Sequence, residues 1–156
     1  MILLKKWTKE IEINAPIEQV WKFLDGSVEN LQKIMPQVVE QKPVKITEEV
    51  VGSVYRQKYR EGKRTEEYDI ETLEYLNETN EKKLKVGFIL AKMFDITALY
   101  ELNKINDNRT SFTYTVTSRP LKWFLKLLLV FATDKVVVEF LDRVKKVAEA
   151  ETSVSE

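Results

Sequence analysis

Cysteine and histidine are both missing from this chain of 156 residues. Without cysteine there are no disulfides and no thiol chemistry, which suits a reducing compartment. Without histidine the commonest general base and metal ligand is gone, and with it zinc sites, Ser-His or Cys-His nucleophiles and imidazole proton shuttles. Any chemistry falls to Asp, Glu, Lys, Tyr or Arg, and no metal site or cofactor is expected. A surplus of one charge is missing too. The 25 basic and 25 acidic residues balance, so nothing in the composition favours nucleic acid or an anionic membrane as partner. The opening "MILLKKWTKE" has neither the long apolar core nor the small-residue cleavage site of a signal peptide, and the expectation is a cytoplasmic protein.

What is present is a chain long enough to bury roughly 70% of its unfolded surface in one domain. Residues 2–14 read as a strand with Trp7, Ile11 and Ile13 on one parity. "NAP" at Asn14–Pro16 then opens a short helix, with Asn14 as its cap and Ile17, Val20, Trp21 and Leu24 at helical spacing. Asp25-Gly26-Ser27 breaks it, and Ser27 caps a second short helix that runs to Ile34 before Pro36. Six strands follow near 38–48, 52–60, 65–75, 83–92, 95–105 and 110–119. Glu61-Gly62-Lys63, Asn77–Asn80 and Asn106–Asn108 mark turns. The boundary near Lys92–Phe94 has no Gly or Pro to mark it. Asn77-Glu78-Thr79 and Asn108-Arg109-Thr110 fit the glycosylation pattern but read as hairpin tips. From Pro120 the pattern is helical, and residues 150–156 read as a frayed tail beyond a single domain over 1–149.

Short connections force the strands into antiparallel hairpins. Such a sheet buries one face, and the long C-terminal helix is the one element large enough to cover it. The predicted class is therefore α+β: a seven-stranded antiparallel sheet, two short helices between strands 1 and 2, and a C-terminal helix.

Four short stretches sit in an order and spacing that resemble the START/Bet v 1-like superfamily, the helix-grip fold, and most closely its bacterial polyketide-cyclase-like branch. They are "APIEQVW" at Ala15–Trp21, "NLQKIMPQV" at Asn30–Val38, "VVGS" at Val50–Ser53 and "KKVAEAE" closing the last helix. Ile34 departs from the pattern, since relatives often carry Trp before the Met-Pro or Pro. The resemblance implies a strongly curved sheet with an apolar cavity against the last helix. There members bind lipids, sterols, quinones, hormones or polyketides, and some act on them; the fold alone does not choose.

"RPLKWFLKLLLVFATDKVVVEFLDRVKK", Arg119–Lys146, is the most apolar part of the chain. Leu121 to Ala132 makes about 18 Å of helix against roughly 30 Å of hydrocarbon, and Lys122 and Lys126 interrupt it, so it does not span a bilayer. From Val136 onward one helical stripe is apolar: Val136, Val137, Phe140, Leu141, Val144, Val147 and Ala148. An unbroken helix would bury Lys122 and Lys126 against the sheet, which is too costly. The segment therefore overhangs the sheet edge, or the helix restarts at Thr133-Asp134. Trp123, Phe124, Leu127, Leu128 and Phe131 form a patch larger than a monomer leaves exposed, and it needs a neighbour. In order of preference that neighbour is the cavity mouth, with the segment as a lid, then a second subunit, then a membrane surface.

Strand alternation selects the side chains facing the cavity. Tyr55, Gln57 and Tyr59 share a face, as do Glu66, Tyr68 and Ile70. Val86, Phe88 and Leu90, then Ile96, Ala98 and Tyr100, then Phe112, Tyr114 and Val116 continue it. Ala132, Val136 and Phe140 face them from the helix. "YRQKYREGKR" can be read as a basic, aromatic-interleaved nucleic-acid site, but a half-solvated strand and turn fits the neutral chain better. Glu66 is either an acid in an apolar cavity, with its charged form disfavoured, or a solvated rim residue. The leading function is binding of a small hydrophobic molecule without catalysis. The alternatives are a cyclase or dehydratase using Glu66 and a Tyr, and an interaction protein docking through Trp123–Phe131.

Overall fold

The computed structural model describes residues 4–125 and 133–155. The alternating N-terminal stretch forms β1 (Lys5–Ile13), followed by α1 (Ile17–Leu24) and α2 (Val28–Ile34). Then come β2 (Val38–Lys45), β3 (Val54–Glu61), β4 (Arg64–Asn77), β5 (Glu81–Leu90), β6 (Phe94–Asn106) and β7 (Arg109–Pro120). A single 3-10 turn at Trp123–Leu125 precedes α3 (Lys135–Ser155). The strands make one antiparallel sheet in the order β1-β7-β6-β5-β4-β3-β2, so the first strand closes on the last. This is the α+β helix-grip architecture expected from the sequence.

Local chemistry accounts for the junctions. Ser27 Oγ accepts the Asn30 N–H at 3.1 Å and starts α2. Asn14 does not cap α1. The helix starts after Pro16, whose carbonyl accepts the Gln19 and Val20 N–H groups at 3.0 and 3.2 Å. Asn14 lies too far upstream to cap, and its own N–H donates to Glu149 Oε2 of α3 at 2.7 Å. The unmarked boundary between β5 and β6 is a tight turn in which Met93 N–H donates to Leu90 C=O at 2.9 Å. Its central residues, Ala91 and Lys92, have φ of 52° and 60°, a conformation for which glycine or asparagine is the usual choice. That is why no turn signal was readable there.

The sheet bends where its register slips. Among the described residues four slips occur, two in β2, one in β6, and one in β4 between Thr72 and Glu74. The last leaves Leu73 as an extra residue in β4. Leu73 leans over Gly87 of β5, where a Cβ would meet Leu73 Cδ1 at 2.9 Å.

α3 begins at Lys135, directly after Thr133-Asp134, where the sequence allows a helix to start. Thr133 Oγ1 accepts the Lys135 N–H at 3.4 Å, and the Asp134 carbonyl accepts the first helical bond from Val138 at 3.0 Å. Val137, Phe140, Leu141, Val144 and Ala148 are buried against β1, β7, α1 and α2. Val136 was expected on this stripe, but it is 74% exposed. It sits in the first turn, about 100° round the helix from the centre of the buried stripe. The helix also runs to Ser155, through residues expected to fray. Among the described residues no helix is long and apolar enough to cross a membrane.

Candidate functional site

The inward-facing side chains divide into a closed zone and a half-open one. In the closed zone Tyr100 pairs across strands with Tyr114, and their rings stack at 5.1 Å. Phe140 of α3 packs on Tyr114 at 4.7 Å and on Tyr100 at 6.0 Å, with Phe112 completing the group. Ala98, Tyr100, Phe112, Tyr114 and Phe140 are all buried. Burial pushes both phenols up, Tyr114 to about 12. The large aromatics therefore fill this part of the interior.

The half-open zone is the concave face of β3, β4, β5 and the start of β6. Cross-strand register brings Tyr55 opposite Ile70, Gln57 opposite Tyr68, Tyr59 opposite Glu66, and Phe88 opposite Ile96. All of these except Gln57 are half-buried, and the Tyr68 ring stacks on Phe88 at 4.9 Å. Gln57 lies beneath them, 4% exposed. Its Oε1 accepts from Gln41 Nε2 at 2.8 Å, and its own Nε2 donates to the Tyr68 hydroxyl oxygen at 3.0 Å. The Tyr68 oxygen is thus an acceptor inside the protein, and among the described residues nothing accepts its proton. Burial outweighs the Gln57 bond and raises the Tyr68 phenol above its ordinary value, as burial and Glu61 do for Tyr59, so both stay protonated near neutrality.

Glu66 lies at the rim of this face, paired with Arg64 at 2.9 Å. Of the other basic residues of "YRQKYREGKR", Arg56, Lys58 and Arg60 alternate to the convex side of β3. There Arg56 bonds Asp69 at 2.9 Å and approaches Glu67 at 3.9 Å, and Lys58 meets Glu40 at 3.3 Å. A shallow hollow of about 410 Å³ lies there, lined by Arg56, Glu67, Tyr68, Asp69, Ile89 and Lys92. Among the described residues no three carboxylates converge as a metal site would require.

Two residues at the concave face escaped the sequence reading. Gln41 starts the hydrogen-bond chain, but the two register slips in β2 hide its parity. Arg143 reads as a solvent-facing helix residue, yet it is half-buried, donates to Ile34 C=O at 3.2 Å and lowers the Tyr59 phenol against the effect of burial. Of the proposed lid, Trp123 is 78% and Phe124 49% exposed. Leu127, Leu128, Phe131 and Ala132 lie outside the described residues.

The sequence model of a family described as polyketide cyclase / dehydrase and lipid transport matches residues 5–149. The chain belongs to that family. No curated relative matches its sequence. Solved structures with this fold include the Zhui aromatase/cyclase of Streptomyces sp. R1128, 13% identical with a TM-score of 0.73 over 94% of each chain. Norcoclaurine synthase of Thalictrum flavum, a point mutant bound to a transition-state analogue, is 16% identical with a TM-score of 0.66, covering 97% of this chain and 98% of its own. Ginseng major latex-like protein 151 of Panax ginseng is 17% identical with a TM-score of 0.67, covering 96% of this chain and 98% of its own. At these identities the neighbours establish the Bet v 1-like fold, as the sequence resemblance implied, and no residue role passes from them to this family member.

Proposed function

We propose that the chain binds a small, mainly apolar molecule carrying a hydrogen-bond acceptor, on the concave face lined by Tyr55, Tyr59, Tyr68, Phe88 and Ile96. The observation that carries this is the direction of the Gln41–Gln57–Tyr68 chain. Each link donates to the next, which leaves the Tyr68 proton as an outward donor beside a stacked pair of aromatic rings. A carbonyl oxygen on a quinone, a polyketide or a fatty acyl group matches that donor, and affinity comes from the surrounding apolar surface.

Native mass spectrometry of gently purified protein, followed by organic extraction, tests the reading. An extractable adduct is expected. A bare apo mass that stays unchanged after incubation with fatty acids, quinones and flavonoids refutes it. For a carbonyl-bearing ligand, Tyr68→Phe should weaken binding about five- to tenfold, the value of one lost hydrogen bond. A hydrocarbon analogue should be unaffected.

A cyclase- or dehydratase-type enzyme is the second reading. It is favoured by Glu66, half-buried, opposite Tyr59 and near enough to Tyr68 to raise its phenol, and by the family to which the chain belongs. Glu66 would then move a proton on a ligand whose carbonyl Tyr68 polarises. Glu66→Gln should abolish turnover of such a substrate while leaving its affinity nearly intact. Joint loss of both would count against this reading.

A further inference from the structure

One end of the sheet gathers apolar and basic residues that the binding face does not use. Phe94 pairs with Pro120, and the Leu121 N–H donates to Met93 C=O at 2.8 Å, so the β5–β6 turn and the segment after β7 form one tip. Lys5 of β1 lies opposite Ser118, two residues before Pro120. Leu121 is 43%, Trp123 78% and Phe124 49% exposed, and the two rings meet edge to face at 6.1 Å. Segments 4–6, 91–95 and 119–124 together hold five basic residues, Lys5, Lys6, Lys92, Arg119 and Lys122, against one acid, Asp95. Arg119 takes that acid at 2.6 Å. Among the described residues no carboxylate forms an ion pair with Lys5, Lys6, Lys92 or Lys122, and the acids lining the hollow beside Lys92 are engaged by Arg56.

From this we infer that the tip docks the protein on the surface of an anionic lipid bilayer. The chain as a whole is neutral, so the cationic character is local and comes from placement. Exposed tryptophan and phenylalanine among lysines match the headgroup boundary, where ring bodies enter the acyl edge and ammonium groups meet lipid phosphates. A second copy of the chain fits less well, because a two-fold contact would set these lysines against their own counterparts. Each lysine near an anionic surface contributes about 1 kcal/mol, or roughly fivefold in partitioning. Docking at this tip is independent of what the concave face binds.

Flotation of the full chain with phosphatidylcholine vesicles, with and without phosphatidylglycerol, tests the inference. Binding should require phosphatidylglycerol and fall with added salt. Lys122→Glu should weaken it fivefold or more, and Trp123→Ser with Phe124→Ser should abolish it. These residues are exposed, so unchanged circular dichroism is expected and confirms that the variants fold. Brominated lipids should quench part of the tryptophan fluorescence, and Trp123→Phe should remove that part. Failure to float with either vesicle overturns the proposal, as does flotation indifferent to all of these substitutions. A concentration-dependent dimer abolished by Trp123→Ser also overturns it, and assigns the patch to a second copy of the chain.

Discussion

Lys82 sits on the inner parity of β5 with its side chain 2% exposed, a place where an unpartnered ammonium would be costly. It is held by Glu18 of α1 at 2.8 Å, by Asn77 Oδ1 at the end of β4, and by the face of Trp21 at 5.7 Å. Beside it Tyr75 donates to Asp25 at 2.6 Å, so polar contacts fasten α1 to the sheet. Glu18 is itself 70% exposed, which limits what the pair contributes. Two substitutions should therefore differ. Glu18→Gln leaves the buried charge short of a partner and should cost about 1–2 kcal/mol, whereas Lys82→Met removes the charge and should stay within about 1 kcal/mol of the parent. Urea midpoints for the two variants and their double mutant decide the matter; a Lys82→Met cost larger than that of Glu18→Gln would reject the account. Nothing in "NEKKLK" singled this lysine out, because a lysine just after a turn normally points to solvent. Its burial depends on α1 lying above it, a contact between residues more than sixty apart.

At the scale of elements, the fold was legible wherever a period was clean. The alternation in β3 and β7 and the helical spacing in α1 and α3 all survive in the structure. Parity was lost where β2 slips, which hid Gln41, and phase was lost at the first turn of α3, which put Val136 outside instead of in. The β5–β6 turn was unreadable for a different reason. Its sequence, Ala91-Lys92, opposes the left-handed backbone that the turn requires. A residue with a Cβ in that conformation costs about 1 kcal/mol or more, partly offset by the flexibility glycine brings to the unfolded chain. Lys92→Gly should accordingly stabilise the protein by about 0.5–1 kcal/mol, seen as a higher urea midpoint with an unchanged slope. A lower midpoint would mean that the Lys92 side chain holds the turn through contacts the backbone does not reveal.

Across the whole molecule, the candidate site was half legible. Cross-strand alternation placed Tyr55, Gln57, Tyr59, Tyr68 and Phe88 together, but it could not show that Tyr100, Tyr114 and Phe140 fill their end of the interior. Whether a cavity is open or filled depends on how far α3 settles onto the sheet, and sequence periodicity carries no such distance. The filled end has a consequence for pH. Tyr114 is 8% exposed, and burial lifts its phenol to about 12, from roughly 10 in an unfolded chain. Between those values the unfolded chain has released the proton that the native state still holds, so stability is complete below about pH 10 and falls as pH rises to 12. Tyr114 alone accounts for about 2–3 kcal/mol over that interval, a large part of the 5–15 kcal/mol of a typical domain. Tyr100, Tyr68 and Tyr59 are shifted the same way and add to the slope. Tyr114→Phe keeps the ring that stacks on Tyr100 but loses the hydroxyl, and should cost about 1 kcal/mol at pH 8. It should nevertheless flatten the loss of stability above pH 10, so that the parent, ahead at pH 8, falls below the variant between pH 10 and 12. Urea midpoints at pH 8, 10 and 11 provide the check. Parallel curves for the two proteins would show that Tyr114 reaches solvent and that the closed zone opens before the molecule unfolds.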